Sequence, residues 1–585
     1  MDTKSFYGKS KKPSKFVTVT EALDAIDEEA TSATIVILPP ESGDKSIPSD
    51  EEDNDDLDTD IFEPAGEVEL SVSSSSDEEE EVPQKTKASS SSTVRWKKST
   101  SFDKILKKSS DDMPMCEKFP ELTGFTCFET FMYIFTEDMF EYICEQSKIY
   151  ATRDRNDPNF CVTVQDIKNF IGIILFSGYH SVPSETDYWS NQPDLKVPFI
   201  SNTMSRDKFQ KIKKYFHVAD NANLEEGNKV AKVSKMYNFL NQNLCKWGVF
   251  HDKLSIDESM VPYYGRHSAK MFIRGKPIRF GFKIWALCGS DGYPYKLDIY
   301  TGRSSNRDPR LPLGQQVVED MLAVVSRLLE PAKHEVFFDN FFSSVKLFEA
   351  LAEKNFLATG TIRDNRTSGA SKNLTTNKQM KKRDRGTYDY RSNGKVFICK
   401  WQDNSVVNVA SNHLSHEPVK KTQRFVRGKG KVQVPQPYLI AAYNQGMGGV
   451  DLMDRLLGAY RPTIKAKKWW FPLVVNLINL SVVAAWRLYS VVHPDETKKV
   501  THLDFRRDIV INLLKHSEER YKVTGGKRVD LPDDSRYDGV DHDITAATQG
   551  RCAVCSKNTR SKCSKCGVRL HYSRGADCFK VYHSR

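Results

Sequence analysis

Near Asp252 the hydrophobic period of the chain switches from helical to strand-like, and the pattern beyond that point limits the fold more than any other feature. KLSIDESMVPYY (253–264) reads as a strand. FGFKIWALCGS and YPYKLDIYTG flank Asp291-Gly292, a strong hairpin turn. GQQVVEDMLAVVSRLL has helical spacing, HEVFFDNFF is a short buried strand, SSVKLFEALAEK is a helix behind a serine cap, and FLATGTIR is a strand. The predicted order is β-β-β-α-β-α-β: three meandering strands, then alternating helices and strands.

That is the order of an RNase H-like core, in which the first and fourth strands lie side by side. Acids interrupt both of those strands. Asp257 breaks LSIDES, and Asp339 ends VFFDN. A third pair, Asp451 and Asp454, comes after Gly446, Gly448 and Gly449 in YNQGMGGVDLMDRL and shares one helical turn. Taken alone, this pair fits an acidic first turn favoured by the helix dipole as well as it fits a metal site. A lone strand aspartate is more often a cap or edge charge. In register with the predicted strand order, Asp257, Asp339 and Asp451 become candidate catalytic acids, with Asp454 a further Mg²⁺ ligand. Two divalent ions clamping the attacking and leaving oxygens of phosphoryl transfer need hard oxygen ligands from separate segments.

The rest of the chain suits a polyanionic partner. Residues 1–84 hold 24 acids and 6 bases, a net of −18, which leaves +27 on the remainder of a chain whose formal charge is +9. Residues 1–115 read as a disordered acidic and Ser-rich tail. Serines 73–76 before Asp77–Glu81 suit an acidophilic kinase, and the basic clusters near residues 9–15 and 96–108 suit nuclear import. Helical patterns fill 116–250. A Lys/Arg-rich β insertion spans 365–432, and helices resume over 457–535. The apolar run 469–486 is near membrane-spanning length, but Pro472, Asn476, Asn479 and Ser481 interrupt it, so a buried helix is expected and no membrane partner.

After a linker over 536–550, residues 551–585 carry Cys552, Cys555, Cys563, Cys566, His571, Cys578 and His583. Two CxxC pairs with later Cys and His are zinc ligands by spacing. With no secretory leader, disulfides are not expected for the 12 cysteines. Two closed sites need eight ligands and seven are present. Asp577 or water could complete the second, or one ion could bind alone.

LSIDESMVPYYGRH, FIRGKPIRFGFKIWAL, FFDNFFSS, KWQDNSVV and YNQGMGGVDLMDRLLGAYRP resemble, in order and spacing, the blocks of piggyBac-type DNA transposases and their domesticated derivatives. The resemblance covers residues 116–585. It implies a multidomain α+β chain: a split helical dimerisation and DNA-binding domain (116–250 and 457–535), a split RNase H-like core (251–364 and 433–456), the β-rich insertion and the Cys-rich finger. It implies catalysis by Asp257, Asp339 and Asp451 with Mg²⁺ or Mn²⁺, Zn²⁺ in the finger, a homodimer, a nuclear location, and double-stranded DNA as partner. The expected action is cut-and-paste transposition through hairpin ends at TTAA targets; the alternative is a domesticated DNA-binding protein. Arg274, Lys276, Arg279, Lys465, Lys467, Lys468, Lys565 and Arg569 are the candidate DNA contacts.

Overall fold

A computed structural model describes residues 14–16, 32–37, 68–73, 95–104, 106, 113–273, 276–302, 311–327, 333–426, 430–494, 500–514, 536–537, 539, 542–572 and 577–584. Serines 74–76, the acidic stretches 46–67 and 74–84, and Arg274 lie outside the described residues. The chain divides into two compact bodies, residues 1–181 with 209–515, and residues 182–208 with 516–585.

The first body is built on a nine-stranded mixed sheet. Its strands are β4 (Lys253–Pro262), β5 (Lys270–Phe272), β6 (Phe280–Gly289), β7 (Pro294–Ile299), β8 (Glu335–Phe338), β9 (Leu357–Thr361), β10 (Tyr388–Ser392), β11 (Phe397–Gln402) and β12 (Val406–Ser411). They run in the order β10-β11-β12-β9-β8-β4-β6-β5, with β7 also on β6. The pairs β4–β8 and β8–β9 are parallel. Leu254, Ile256, Val336, Phe337 and Phe338 at the centre are fully buried. A strand covered on both faces reads as an unbroken apolar run, which is why VFF does not alternate. Gly292 takes φ +90° in the β6–β7 turn, a conformation glycine adopts without strain.

The longer helices of this body are α1 (Cys127–Ile134), α2 (Glu137–Ile149), α3 (Val164–Phe176), α4 (Ala231–Leu244), α5 (Leu313–Arg327), α6 (Val345–Glu353), α7 (Tyr438–Gly446), α8 (Gly449–Ala459), α9 (Phe471–Val492) and α10 (His502–Leu513). Thr126 and Thr163 begin α1 and α3 with reciprocal capping boxes, and Ser344 caps α6. Thr136, expected as the cap of α2, stands at that position but makes no side-chain bond to the helix. The apolar run from Phe471 is α9. It packs against α1, α4, α8, α10 and β4. Of its most apolar 18-residue window, 78% is buried. Two of its polar residues are satisfied inside: Asn479 Nδ2 donates to Leu457 O at 3.0 Å, and Ser481 Oγ to Leu477 O at 2.9 Å.

Two features differ from the sequence reading. The β insertion is not a separate lobe: β12 pairs antiparallel with β9 through Val409–Thr361, so β10–β12 extend the central sheet. The ribbon β13 (Lys420–Val426) and β14 (Gly430–Gln436) stands apart from it as a two-stranded sheet. The tail expected to be disordered to residue 115 also contains ordered parts. β1 (Ser14–Phe16), β2 (Ser32–Ile37) and β3 (Val68–Ser73) form a small antiparallel sheet. Trp96 is 7% exposed, its indole donating to Ser368 O at 3.0 Å, while Lys97 bridges to Ser392 on β10. One large indole with a satisfied N–H outweighs the basic composition around it.

In the second body, β15 (Ile544–Arg551) and β16 (Asn558–Cys563) form a hairpin, and α11 (Cys578–His583) closes the chain's described part. Cys552, Cys563, Val568, Leu570 and Cys578 make up its small buried cluster, so most of that core consists of thiols.

Candidate active site and metal centres

The parallel register fixes the first contact. Ile256 on β4 pairs with Phe338, the last residue of β8. The next residues, Asp257 and Asp339, are therefore neighbours where β8 stops, one strand spacing (about 4.8 Å) apart and on the same face. Asp339 is held in the turn by accepting the Phe341 N–H at 2.8 Å, and its carbonyl accepts from Ser343 Oγ at 2.9 Å.

α7 and α8 cross that face, and the glycines are there for closeness rather than flexibility. A Cβ on Gly446 would fall 2.2 Å from the Phe337 ring, and one on Gly449 2.4 Å from Gly289 O and 2.5 Å from Ser255 Oγ. Neither has a positive φ. Gly448 has open space around it. Pressed this close, α8 brings Asp454 to Ser259 of β4, whose hydroxyl donates to its Oδ1 at 2.5 Å. Asp451, one turn earlier, is 73% exposed.

Lys276 gathers these acids. Its ammonium lies 4.0 Å from Asp257 Oδ2, 3.7 Å from Glu258 Oε1 and 3.9 Å from Asp451 Oδ1, and it donates to Glu258 O at 3.2 Å. Burial alone would lower its pKa; Asp257, Glu258, Asp451 and Asp454 outweigh burial and raise it. Lys283 stands near Glu258, Asp257 and Asp339 as well. Burial, and then the charge of Glu258, push Asp257 up to about 8. Burial takes Asp454 to about 6 against the pull of Ser259 and Lys276, and raises Asp339 as well. In each of the three, burial is the first cause of the rise, because it penalises the charged carboxylate.

The sequence reading placed Lys276 among DNA contacts and did not include Glu258 or Tyr443. Tyr443 on α7 is a half-buried residue whose hydroxyl bonds Thr361, with Asp339, Asp257 and Asp451 near enough to raise its pKa further after burial. Nothing in a lone Lys or Tyr signals such a place; only the fold brings them in. Among the other basic candidates, Arg279, Lys465 and Lys467 are exposed. Lys468 instead ties its ammonium to the carbonyls of Lys214 (2.7 Å) and Phe216 (2.9 Å). Arg569 is stapled to Thr548 at 3.1 and 2.8 Å.

Two Cys/His groups bring their donor atoms within 4.8 Å of one another: Cys552, Cys555, His571 and Cys578, and His542, Cys563, Cys566 and His583. The ligand order along the chain interleaves the two groups. The eighth residue of the two groups is His542, ten residues before Cys552; Asp577 is in neither group, and its side chain caps α11 by accepting from the Lys580 N–H at 3.0 Å. His571 and His583 each direct the other ring nitrogen at a backbone carbonyl, Asn558 O at 3.0 Å and Phe579 O at 2.9 Å. That is how metal-binding imidazoles are oriented. All 12 cysteines are free of disulfides.

The family described as Transposase IS4 matches residues 126–486. Human PiggyBac transposable element-derived protein 3 is 36% identical over 453 residues, 77% of this chain and 74% of the relative. Human PiggyBac transposable element-derived protein 2 is 32% identical over 474 residues, covering 80% and 77%. Among solved structures, a piggyBac transposase in a synaptic complex with hairpin DNA superposes with a TM-score of 0.56 at 20% identity, over 75% of this chain and 97% of that one. That likeness is one of fold. The mixed sheet with its crossing helices, the matched span and the identity to these relatives place the chain in the piggyBac transposase family.

Proposed function

We propose that the chain is a DNA transposase with an RNase H-like core, cleaving one strand at each transposon end and joining the freed ends to a TTAA target through hairpin intermediates. The observation that carries this reading is the placement of Asp257 on β4 and Asp339 directly after the end of the parallel neighbour β8, next to α8, which supplies Asp451 and Asp454. The donor set fits Mg²⁺ or Mn²⁺: all oxygen, and drawn from three segments. Divalent ions held there would polarise the phosphate and stabilise the attacking and leaving oxygens. The chain's own residues do the rest. Asp257 sits on the buried strand β4, and Asp339 is fixed in the turn beyond β8 by the Phe341 N–H and the Ser343 hydroxyl, so both carboxylates are pre-positioned. Ser259 orients Asp454. Lys276 offsets the repulsion of the acids and stands close enough to them to meet a phosphate.

The Cys/His groups are proposed to hold two zinc ions, as Cys₃His and Cys₂His₂ sites, and to shape a DNA-binding finger. Terminal inverted repeats, a second copy of the chain and a nuclear location complete the reading. The relatives' names, "transposable element-derived", favour one other reading: DNA binding without mobilisation. The test is incubation of the purified chain with Mg²⁺ and duplexes carrying the inverted repeats that flank its own gene. Nicks and then hairpins at the repeat boundary are expected. Binding to those duplexes without cleavage in either Mg²⁺ or Mn²⁺ would replace the first reading with the second.

A further inference from the structure

The β13–β14 ribbon has two unlike faces. Thr422, Arg424, Val432 and Val434 alternate on the inner face, at least half-buried. Arg424 Nε pairs with Asp403 at 3.1 Å, and Arg385 pairs with the same carboxylate while donating to Phe425 O at 2.9 Å. The Trp401 indole donates to Pro435 O at 2.9 Å. These contacts clamp the ribbon to β11 and the loop beyond it. The outer face presents Lys421, Gln423, Phe425, Lys431 and Gln433, all exposed. Phe425 is 70% exposed and lies directly across from Lys431. Neither strand contains an acid.

A lone exposed phenyl ring is ordinary on a protein surface; what marks Phe425 is its place on a face whose strands carry no acid. Its neighbours are long donors rather than apolar residues, so the face does not suit a hydrophobic protein contact. It does suit duplex DNA. A two-stranded ribbon fits the major groove. Lysines reach phosphates, glutamine amides can read base edges, and an aromatic ring can wedge against bases. We propose that the outer face of β13–β14 lies in a groove of duplex DNA, with Lys421 and Lys431 on phosphates and Phe425 against the bases. This rests on the reading of the chain as a DNA-acting protein. It adds a contact surface apart from the acids and the finger. β14 ends at Gln436 and α7 begins at Tyr438, so DNA held by the ribbon is coupled through a short connection to the helices that cover the acids.

The experiment uses the full chain and a fluorescent 30-base-pair random duplex, with affinity measured across a salt series. Lys421→Gln with Lys431→Gln should reduce the slope of log affinity against log salt by about 1.8, since each phosphate contact contributes roughly 0.9. Lys346→Gln with Lys372→Gln, the same charge loss elsewhere, should leave the slope unchanged. Phe425→Ala should weaken binding without altering the slope, and should abolish the fluorescence rise of 2-aminopurine in the duplex that the unsubstituted chain produces. Melting curves establish that these surface variants fold. Unaltered slope in the ribbon lysine pair, together with unaltered affinity in Phe425→Ala, overturns the ribbon surface while leaving the catalytic reading standing. No binding by the unsubstituted chain overturns both.

Discussion

Lys276 and His542 show what single residues contribute here. Lys276 is the ammonium that approaches three acids at once. Lys276→Met should lower the thermal stability of metal-free protein by about 1–3 kcal/mol, the worth of hydrogen bonds to charged groups, and Mg²⁺ should restore more of it than in the unsubstituted chain. A thermal-shift series with and without Mg²⁺ checks this; equal responses would mean Lys276 does not balance the acids. His542 completes the second Cys/His group. The full chain should carry two zinc ions, and His542→Ala one, by elemental analysis. Two ions in both would remove His542 from the site. Asp257 and Asp339 stand out in the sequence because each is a charged residue in or beside an apolar strand and breaks a visible pattern. Lys276, Tyr443 and His542 break none. Lys276 lies in a polar loop and His542 in a linker, and only the folded chain gives either one a role.

At the level of elements, the approach of α8 to the sheet depends on glycine at one position and not at another. Gly449→Ala would set a methyl against Gly289 O and Ser255 Oγ, and should cost about 1–3 kcal/mol as an overpacked core does. Gly448→Ala, in open space, should change stability by less than about 0.5 kcal/mol. Urea unfolding of both separates packing from backbone freedom, and similar losses in the two would contradict the close-approach account. The α9–α10 contact carries a pH response. Burial, with Arg506 and Arg487 nearby, depresses His502 to about 3, and its ring stacks on Trp486 at 4.7 Å. The unfolded chain, with an ordinary histidine near 6.5, then binds more protons between those values. Stability contributed by neutral His502 is complete above about 6.5 and falls as pH drops, by roughly 2 kcal/mol at pH 5. His502→Gln should flatten that fall in urea titrations at pH 7 and pH 5, and parallel curves would refute it. The strand order of the core was readable from period and turn signals except for the short edge strand β5, Lys270–Phe272, which has only three residues to show a period. The merging of β10–β12 into the same sheet was not, because hydrogen-bond partners of a strand leave no trace in its own residues.

At the scale of the whole molecule, three stretches far apart in sequence, near residues 257, 339 and 451, meet on one face of one sheet, while the Cys/His groups fold as a body of their own around thiols. The central claim is that the acids act together as the site of DNA cleavage. Asn is nearly isosteric with Asp but cannot serve as an ionised ligand. Asp257→Asn and Asp339→Asn, alone and together, should fold and bind duplex as the unsubstituted chain does, since removing one of several repelling carboxylates relieves strain rather than creating it. Cleavage should fall by roughly three orders of magnitude or more in each, with the double variant scarcely worse than either, because residues acting as a unit are non-additive. The decisive measurement is the rate of Mg²⁺-dependent cleavage of a labelled end duplex by each variant, with binding tracked in parallel. The account predicts retained binding and lost cleavage in all three; cleavage at the unsubstituted rate by either single variant would contradict it.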